Sequence, residues 1–516
     1  MSKHPLVRLA LIVLPALVVL LAPAPADLPW RAQRVLAVVI LAIGLWSTEV
    51  MTAGVTSMVV IVALILTGAV PTVRDGFVGF ADPVPYFLVG VLTIGLAVAK
   101  SGLAERIAVL LIARAGGRPR RLYVELLASF PLMTLLLPSA TTRTGILVHV
   151  YDQALELAAV PRGAPLAKAI MLALNSINRL ASTLLLTGGI TPVVAAALIG
   201  NMSWGRWFWL MLAPYGALLA MGAVLIYWQY RAGFRGRLPI LPTWGAPSAP
   251  PIPPRRVSPG SASPISAHHV APGSASPISA HHVAPGSAPP ISAQDVAPGH
   301  NTRSPLSPRE IRTLLIVGGA AALWLTDALH HWHPVIPALI AWICLLSPGI
   351  GVITWNDFEQ GFGWANLFVI ASSLSLARAL ISSEASAWVA THLARDVPML
   401  AGSPLLVVVA LLVVAALLRA LIPNITGFLA TTIPLAMSVG TATGVNPLVC
   451  GLAVTIAGDA VLYYPAQSAS SLVVYQRGHL TAPEIFRFGV WMTLLAAFVV
   501  LAVALPYWIA IGVPLR

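Results

Sequence analysis

The sequence predicts an all-α polytopic membrane protein with about eleven transmembrane helices plus two re-entrant hairpins in two inverted repeats. Three observations lead to this fold class. Of the 516 residues, 58% are hydrophobic and 9% are charged, whereas a soluble domain carries roughly 25% charged residues. Landmarks of the first half of the chain recur in the second half. In both halves, a proline and small polar residues interrupt an apolar segment.

The apolar runs are predicted to form the spans, each of which needs about 20 residues with its flanks to cross the hydrocarbon layer. The runs are Leu6–Ala22, Val35–Trp46, Val55–Val70, Val84–Ala99, Leu166–Leu186, Phe208–Trp228, Leu314–Leu329, Val335–Ile350, Leu367–Ile381, Leu448–Tyr464 and Val490–Ile511. Two further apolar segments contain the interruptions, Leu122–Leu157 and Leu405–Val445. We predict that these two are re-entrant hairpins, because broken backbone at bilayer depth is tolerated only where protein or a polar cavity surrounds it.

The repeat is visible as matched sequence landmarks. The segment GLWSTE at 44–49 reappears as ALWLTD at 322–327, and the breaks follow in the same order in both halves. The offset between matched landmarks is about 280 residues throughout, which indicates two copies of one unit. Because each copy contains five predicted spans, an odd number, the copies are expected to lie in opposite orientations, the arrangement that permits alternating access.

The chain is accordingly divided into four parts. Residues 1–34 hold the first transmembrane helix and its connection, 35–231 form the first repeat and 312–516 form the second. Residues 232–311 between the repeats are rich in Pro, Ala, Ser and Gly and contain a 13-residue repeat from Pro259 onward. This composition predicts a disordered linker, with metal binding by its paired histidines as the alternative.

The net charge of +13 is concentrated on one predicted side of the membrane. Basic residues cluster within 100–121 and 231–256, after the fourth and sixth spans, and Lys3 and Arg8 lie at the start. By the positive-inside rule this side is cytoplasmic, so we expect the N-terminus and the linker there and the protein in the inner (plasma) membrane. No basic face interleaved with aromatic residues occurs in the sequence, and nucleic acid is not an expected partner.

The first break supplies groups suited to an anionic substrate. Ser139 and Thr141 carry hydroxyls, and the helix that restarts after Thr142 points its positive end at the break. Arg143 adds a guanidinium that matches a carboxylate bidentately, and a charge inside a membrane segment normally belongs to a partner or a pathway. The alternative is that Arg143 lies at the cytoplasmic mouth and extends its charged end to the interface.

The second break supplies Asn424 and Thr426, and we predict no cation there. Two later interruptions, Thr187–Pro192 and Tyr464–Ser468, occupy matching places after the hairpins. Their unwound carbonyls suit a small hard cation. We therefore predict a sodium or proton site near Gly188, Gly189, Ala466 and Asp459. For Asp459, a structural carboxylate held by hydrogen bonds is the alternative.

On these features the chain resembles the divalent anion:sodium symporters, which move dicarboxylates, tricarboxylates or sulfate. The resemblance covers nearly the whole chain apart from the linker. It rests on the two tips, on the Thr48-Glu49 turn, on Lys100–Ala104 and on the Gly444–Leu448 stretch that leads to Pro465. The Ser-Asn-Thr signature of the family falls on Ser139–Thr141 and on Asn424–Thr426.

The resemblance implies a substrate site formed by the tips and the two later interruptions. The residues assigned to it are Ser139, Ala140, Thr141, Arg143, Asn424, Ile425, Thr426, Thr191, Pro192, Gln467 and Ser468. In the family, the middle asparagine of each signature helps to bind substrate and sodium, whereas this chain has Ala140 and Ile425 there. Arg143 is similar to an arginine of the citrate and dicarboxylate exchangers in the same family, which trade anion for anion without sodium.

We therefore predict a secondary active transporter, not an enzyme, that carries small di- or tricarboxylates by anion exchange. One alternative is sodium-coupled symport of a dicarboxylate or sulfate, with sodium as the coupling ion. Others are an oxyanion or cation antiporter that uses Asp459, a passive channel, and an intramembrane enzyme, for which no Ser-His-Asp or metal arrangement is found in the sequence. No cofactor is expected. The expected partners are the anionic substrate, the lipid bilayer and a second copy of the chain.

Overall fold

The computed structural model describes residues 5–48, 50–200, 202–238, 305–396 and 402–516. The helices of the first half are α1 (Pro5–Leu21), α2 (Trp30–Thr48), α3 (Ala53–Leu66), α4 (Val73–Gly76), α5 (Pro83–Ser101), α6 (Leu103–Ala115), α7 (Pro119–Leu136), α8 (Ala140–Leu157), α9 (Pro165–Leu172), α10 (Asn178–Leu184), α11 (Ile190–Ile199) and α12 (Trp204–Gln229). A π-helical turn, Ala173–Ile177, joins α9 to α10.

The second half begins after the linker. Its helices are α13 (Pro308–Leu325), α14 (Asp327–His330), α15 (Val335–Leu346), α16 (Trp355–Gly361), α17 (Ala365–Ser382), α18 (Ala385–Asp396), α19 (Pro404–Leu421), α20 (Ile425–Thr443), α21 (Pro447–Asp459), α22 (Ala469–Tyr475), α23 (Ala482–Val499) and α24 (Leu505–Ala510). A second π-helical turn, Val500–Ala504, makes α23 and α24 one continuous segment.

The structure confirms an all-α polytopic membrane protein, with no β-strand in the residues it describes. Seven helical segments there are long and apolar enough to cross a bilayer: α2, α5, α12, α17, α19, α20 and Ala482–Ala510. Five shorter apolar helices of 10–17 residues accompany them. The number of spans and the re-entrant course of the hairpins stay predictions.

Each predicted hairpin is a pair of helices separated by a short break. Leu137–Ser139 separates α7 from α8, and Ile422–Asn424 separates α19 from α20. Proline accounts for both breaks, because it lacks an amide hydrogen and disfavours helical geometry in the residue before it.

The helix order of the first half recurs in the second. Helix α5 begins at Pro83 and its counterpart α17 begins at Ala365. Helix α7 begins at Pro119 and its counterpart α19 begins at Pro404, at nearly the same offset along the chain. These helix starts keep the spacing of the sequence landmarks, so the repeat in sequence is also a repeat of helices.

The two halves pack on each other through reciprocal helix contacts, in which corresponding helices of each half pack on the other half. Helix α3 packs on α17 and α5 packs on α15, where α15 is the counterpart of α3 and α17 the counterpart of α5. In the same way, α11 packs on α20 and α22 packs on α8. Each half therefore contributes corresponding helices to the contacts between the halves. This packing also brings α11 and α22, the helices that follow the two later interruptions, against the hairpin of the opposite half.

The linker prediction falls mostly on residues 239–304, which lie outside the described residues, as does Glu49 of the GLWSTE landmark. Two predicted boundaries change. Residues 308–311 are the first turn of α13 and not linker, because Ser307 and Glu310 form a capping box there. The segment Trp30–Arg34 belongs to α2 and not to the connection that precedes the first repeat.

Candidate functional site

The first tip is the break between α7 and α8 together with the first turn of α8. Ser139 is the N-cap of α8, and its Oγ accepts hydrogen bonds from the amide and the hydroxyl of Thr142 at 3.2 and 3.0 Å. This cap fixes where the helix restarts. The next residues, Ala140 and Thr141, are half-buried, and Thr141 Oγ1 makes no hydrogen bond within the described residues. In the ranges that the structure describes, the hydroxyls of Thr141 and Ser139 therefore both lack an acceptor for their hydrogen.

Arg143 fastens the first tip to α10. Its side chain is fully buried and does not reach the surface. Its Nε donates to Asn178 Oδ1 at 2.5 Å, and Nη2 donates to Asn178 O and Ser182 Oγ at 2.8 and 2.6 Å. Its Nη1 donates to Leu137 O, in the break, at 2.8 Å. The guanidinium therefore replaces the helical hydrogen bond that the break removes from Leu137.

The second tip is the break between α19 and α20 together with the first turn of α20. Asn424 is the N-cap of α20, and its Oδ1 accepts hydrogen bonds from the amides of Thr426 and Gly427 at 2.9 and 3.1 Å. Ile425 is half-buried. Thr426 is buried, and its hydroxyl makes no hydrogen bond within the described residues.

A buried arginine also holds the second tip, so the expectation that this tip lacks a cation is wrong. Arg419 is 1% exposed, and its Nη1 donates to Ile422 O and Pro423 O at 2.6 and 2.7 Å. Its Nε donates to Gly458 O of α21 at 3.0 Å. Sequence reasoning compared only the residues that follow each proline. A single arginine shortly before Pro423, inside an apolar helix, is the signal that it missed.

The two arginines make the same contact in the two repeats. Leu137 and Ile422 are each the residue before the proline of their break, and each carbonyl accepts a hydrogen bond from a guanidinium Nη1. Arg143 comes from the helix after its break, whereas Arg419 comes from the helix before. Both repeats therefore contain the same arginine-to-carbonyl hydrogen bond, although the arginine lies on opposite sides of the break in the two sequences.

The first of the two later interruptions lies against the first tip. A Cβ atom at Gly188 would stand 1.9 Å from Ser182 O, so only glycine fits there. A Cβ atom at Gly189 would be 3.8 Å from Pro138 O. The interruption ends at Gly189, and the predicted residues Thr191 and Pro192 lie buried in the first turn of α11.

The second later interruption contacts the last turn of α19, just before the second tip, through a glutamine. Gln467 Oε1 accepts a hydrogen bond from the amide of Tyr463 at 2.7 Å, and its Nε2 donates to Arg419 O at 2.8 Å. Ser468 shares a hydrogen bond of 2.8 Å with Ser470. Ala466 is exposed.

Asp459 joins the two halves of the molecule. It is fully buried at the end of α21, and its Oδ1 lies 2.8 Å from Arg179 Nη1. A second nitrogen of Arg179 contacts the Asp459 carbonyl. The hydroxyls of Thr183 and Tyr215 donate to Oδ2 at 2.7 and 3.1 Å. All three partners belong to the first half, an arrangement that suits the structural role left open for this residue.

Buried charges near the tips do not cancel. Arg179 is paired with Asp459, whereas Arg143 and Arg419 bind only neutral acceptors within the described residues. Removing a guanidinium from water costs several kcal/mol unless an opposite charge compensates it. Two such groups suit a ligand that carries two negative charges. The described part of the chain contains no group of three His, Cys, Asp or Glu side chains that could hold a metal ion.

The later interruption of the first half thus lies against the first tip, and that of the second half bonds to the end of α19. The two halves meet at Asp459. No hydrogen bond connects the two tips to each other in the described ranges. A cavity of about 180 Å³ lies beside α11, where Leu186 and Val193 face Asp82 and His333. None of the predicted site residues lines it.

Comparison with known proteins adds independent information. A family model described as the sodium:sulfate symporter transmembrane region matches residues 3–513. A protein of Cupriavidus necator named "Membrane protein" is 23% identical over 96% of this chain and 91% of its own length. Proteins named "L-tartrate/succinate antiporter" from Shigella sonnei and Escherichia coli K12 are 28% identical over 189 residues. That match covers 36% of this chain and 38% of theirs.

Proposed function

Because the chain belongs to the sodium:sulfate symporter transmembrane family, we propose that it carries small di- or tricarboxylates across the inner membrane by exchanging one anion for another. Membership confirms the resemblance to the divalent anion:sodium symporters that the sequence suggested. The chain is therefore a membrane transporter of anions. The exchange mechanism and the class of anion are the proposal.

One observation carries the proposal, namely the arginine at each break. In broken-helix transporters, unwound carbonyls coordinate the coupling cation. Here the Leu137 and Ile422 carbonyls already accept hydrogen bonds from the fixed cations Arg143 and Arg419. Each guanidinium provides a permanent positive charge at its break, so no removable cation is needed to supply one there.

The same charges favour exchange over one-way transport. With a dianion bound, the two guanidinium groups are balanced and the loaded site carries little net charge. Without it, two buried positive charges lack compensation, which is costly in surroundings of low polarity. The empty carrier should therefore reorient slowly, and the return step should require a second anion.

Two further features support an organic dianion. Thr141 and Thr426 occupy matching positions in the two repeats, and among the described residues neither hydroxyl has a partner, so both can donate to an anion oxygen. The relatives named as antiporters exchange L-tartrate and succinate, both dicarboxylates.

The experiment is uptake of labelled succinate into proteoliposomes that are either empty or preloaded with unlabelled succinate. We expect uptake only into the preloaded vesicles. Labelled sulfate and labelled citrate, each with the matching preload, test the class of anion. Equal uptake into empty vesicles would contradict exchange, and transport of sulfate alone would contradict the organic anion.

A further inference from the structure

A cluster of seven exposed arginines lies at one end of the first half, and we call it the arginine patch. Its members come from the end of α6, the start of α7 and the segment after α12. They are Arg114, Arg118, Arg120, Arg121, Arg231, Arg235 and Arg237. The proposed transport site uses none of them.

Backbone and ring contacts hold these segments together. The amide of Leu238 donates to Gly117 O at 2.8 Å, which pairs the α6–α7 turn with the chain after α12. Beneath this pair, the ring of Tyr123 lies 5.1 Å from that of Phe234, and its hydroxyl donates to Ala223 O at 3.0 Å. The patch is therefore one surface, although its parts are far apart in sequence.

Most of the patch lacks compensating charge. Arg121 lies 3.8 Å from Glu125, and the guanidinium of Arg120 lies 6.0 Å from the ring centre of Tyr227. The other five arginines form no hydrogen bond or ion pair through their side chains in the described ranges. Guanidinium groups on one surface without carboxylate partners fit a phosphate group.

The surface beside the patch is apolar. Val124 on α7 is 60% exposed, and Val224 and Trp228 on α12 are 65% and 69% exposed. Trp228 lies in the last turn of α12, and tryptophan is enriched at such membrane interfaces. The structure thus sets a positively charged surface next to an apolar surface at the end of two helices.

We propose that the arginine patch is a binding site for an anionic phospholipid, with the phosphate held by the arginines and the acyl chains along α7 and α12. The adjoining apolar surface is the reason to choose a lipid over a soluble phosphate, which would gain nothing from Val124 or Trp228. Basic pockets beside membrane helices bind anionic head groups in this way.

The test compares lipid retention by three forms of the full chain: wild type, a patch variant and a control variant. The patch variant is Arg118→Gln/Arg120→Gln/Arg235→Gln. The control, Arg74→Gln/Arg395→Gln/Arg516→Gln, removes the same charge elsewhere. Each protein is reconstituted with equal parts phosphatidylglycerol and phosphatidylcholine of matched acyl chains. It is then extracted in mild detergent, and the retained lipids are measured by mass spectrometry.

We expect wild type and control to retain mainly phosphatidylglycerol, and the patch variant to lose this preference by at least about fivefold. Thermal unfolding of all three proteins checks that they are folded. A patch variant that retains phosphatidylglycerol over phosphatidylcholine as strongly as wild type does would overturn the proposal. So would displacement of the lipid by inorganic phosphate at millimolar concentration, because the patch would then bind a soluble anion.

Discussion

Thr141 and Thr426 are the residues that the two tips have most clearly in common. Each lies in the first turn of the helix after its break, three positions after the proline, and the hydroxyl of each makes no hydrogen bond in the part of the chain that the structure describes. The helix caps are less alike, because Ser139 fills one and Asn424 the other. A bound dianion would thus receive one threonine hydroxyl from each half.

Replacing either threonine by alanine should weaken the apparent affinity for the substrate. The anion oxygen loses its donor, and an unmet buried partner costs ~1–3 kcal/mol, which is roughly a 5- to 150-fold loss. Concentration-dependent uptake measures the effect, and Thr→Ser should restore most of the affinity. Thr441→Ala, at the far end of α20, is the matched control. If Thr426→Ala matches that control, the second tip does not touch the substrate.

Arg143→Gln should abolish exchange and lower the stability of the protein. The change leaves Leu137 O, Asn178 and Ser182 without a donor, which we expect to cost about 3 kcal/mol. Arg143→Lys keeps the charge without the fork, so part of the exchange should remain. Uptake per folded protein and thermal unfolding separate the two effects.

The control for the two Arg143 variants is Arg378→Gln. This arginine is 61% exposed and pairs with Asp82 at the surface, so its loss should change little. Full exchange by a stable Arg143→Gln protein would show that the charge at the first tip plays no part in transport.

At the scale of helices, the ion pair between Arg179 and Asp459 joins α10 to α21 across the two halves. Asp459→Asn leaves the buried charge of Arg179 without compensation and should lower the free energy of unfolding by about 3–5 kcal/mol. Removing both charges in Arg179→Met/Asp459→Leu should recover most of the stability and the exchange. Thermal unfolding and uptake of both variants test this. A double variant that folds but does not transport would instead indicate that Asp459 binds a coupling cation or carries a proton.

Local patterns predicted the helix breaks better than the contacts that support them. The breaks at Pro138 and Pro423 were readable, because a proline acts on its neighbours in sequence. The restart of the first helix was predicted after Thr142, whereas Ser139 caps α8 and the helix begins at Ala140. The contact of Arg419 with Ile422 O was not readable, because it exists only once the break has formed. The pairing of Arg179 with Asp459 spans 280 residues and requires the packed fold.

In the whole molecule, the helices of the two halves begin at matching positions, and corresponding helices of the two halves pack on each other. The sequence predicted this organisation because the landmarks and breaks kept their spacing. It left open how the halves interlock, because the packing of α11 on α20 and of α22 on α8 leaves no periodic signal in one sequence. The linker contributes no landmark to either half.

Deleting residues 240–304, with a short Gly/Ser bridge in their place, should leave folding and exchange intact. The segment has few apolar side chains to bury and many prolines, so its composition cannot form a core. Membrane insertion and uptake by the shortened protein are the measurements. Normal insertion with lost uptake would assign the histidine-rich repeats a regulatory role.

Fixed guanidinium groups, in this mechanism, take the place of a coupling sodium ion. The decisive measurement is the initial rate of succinate exchange in preloaded proteoliposomes, with sodium on both sides or with choline in its place. We predict the same rate in both, because Arg143 and Arg419 already supply the positive charge at the breaks. A rate that rises steeply with external sodium would contradict this mechanism and indicate sodium symport.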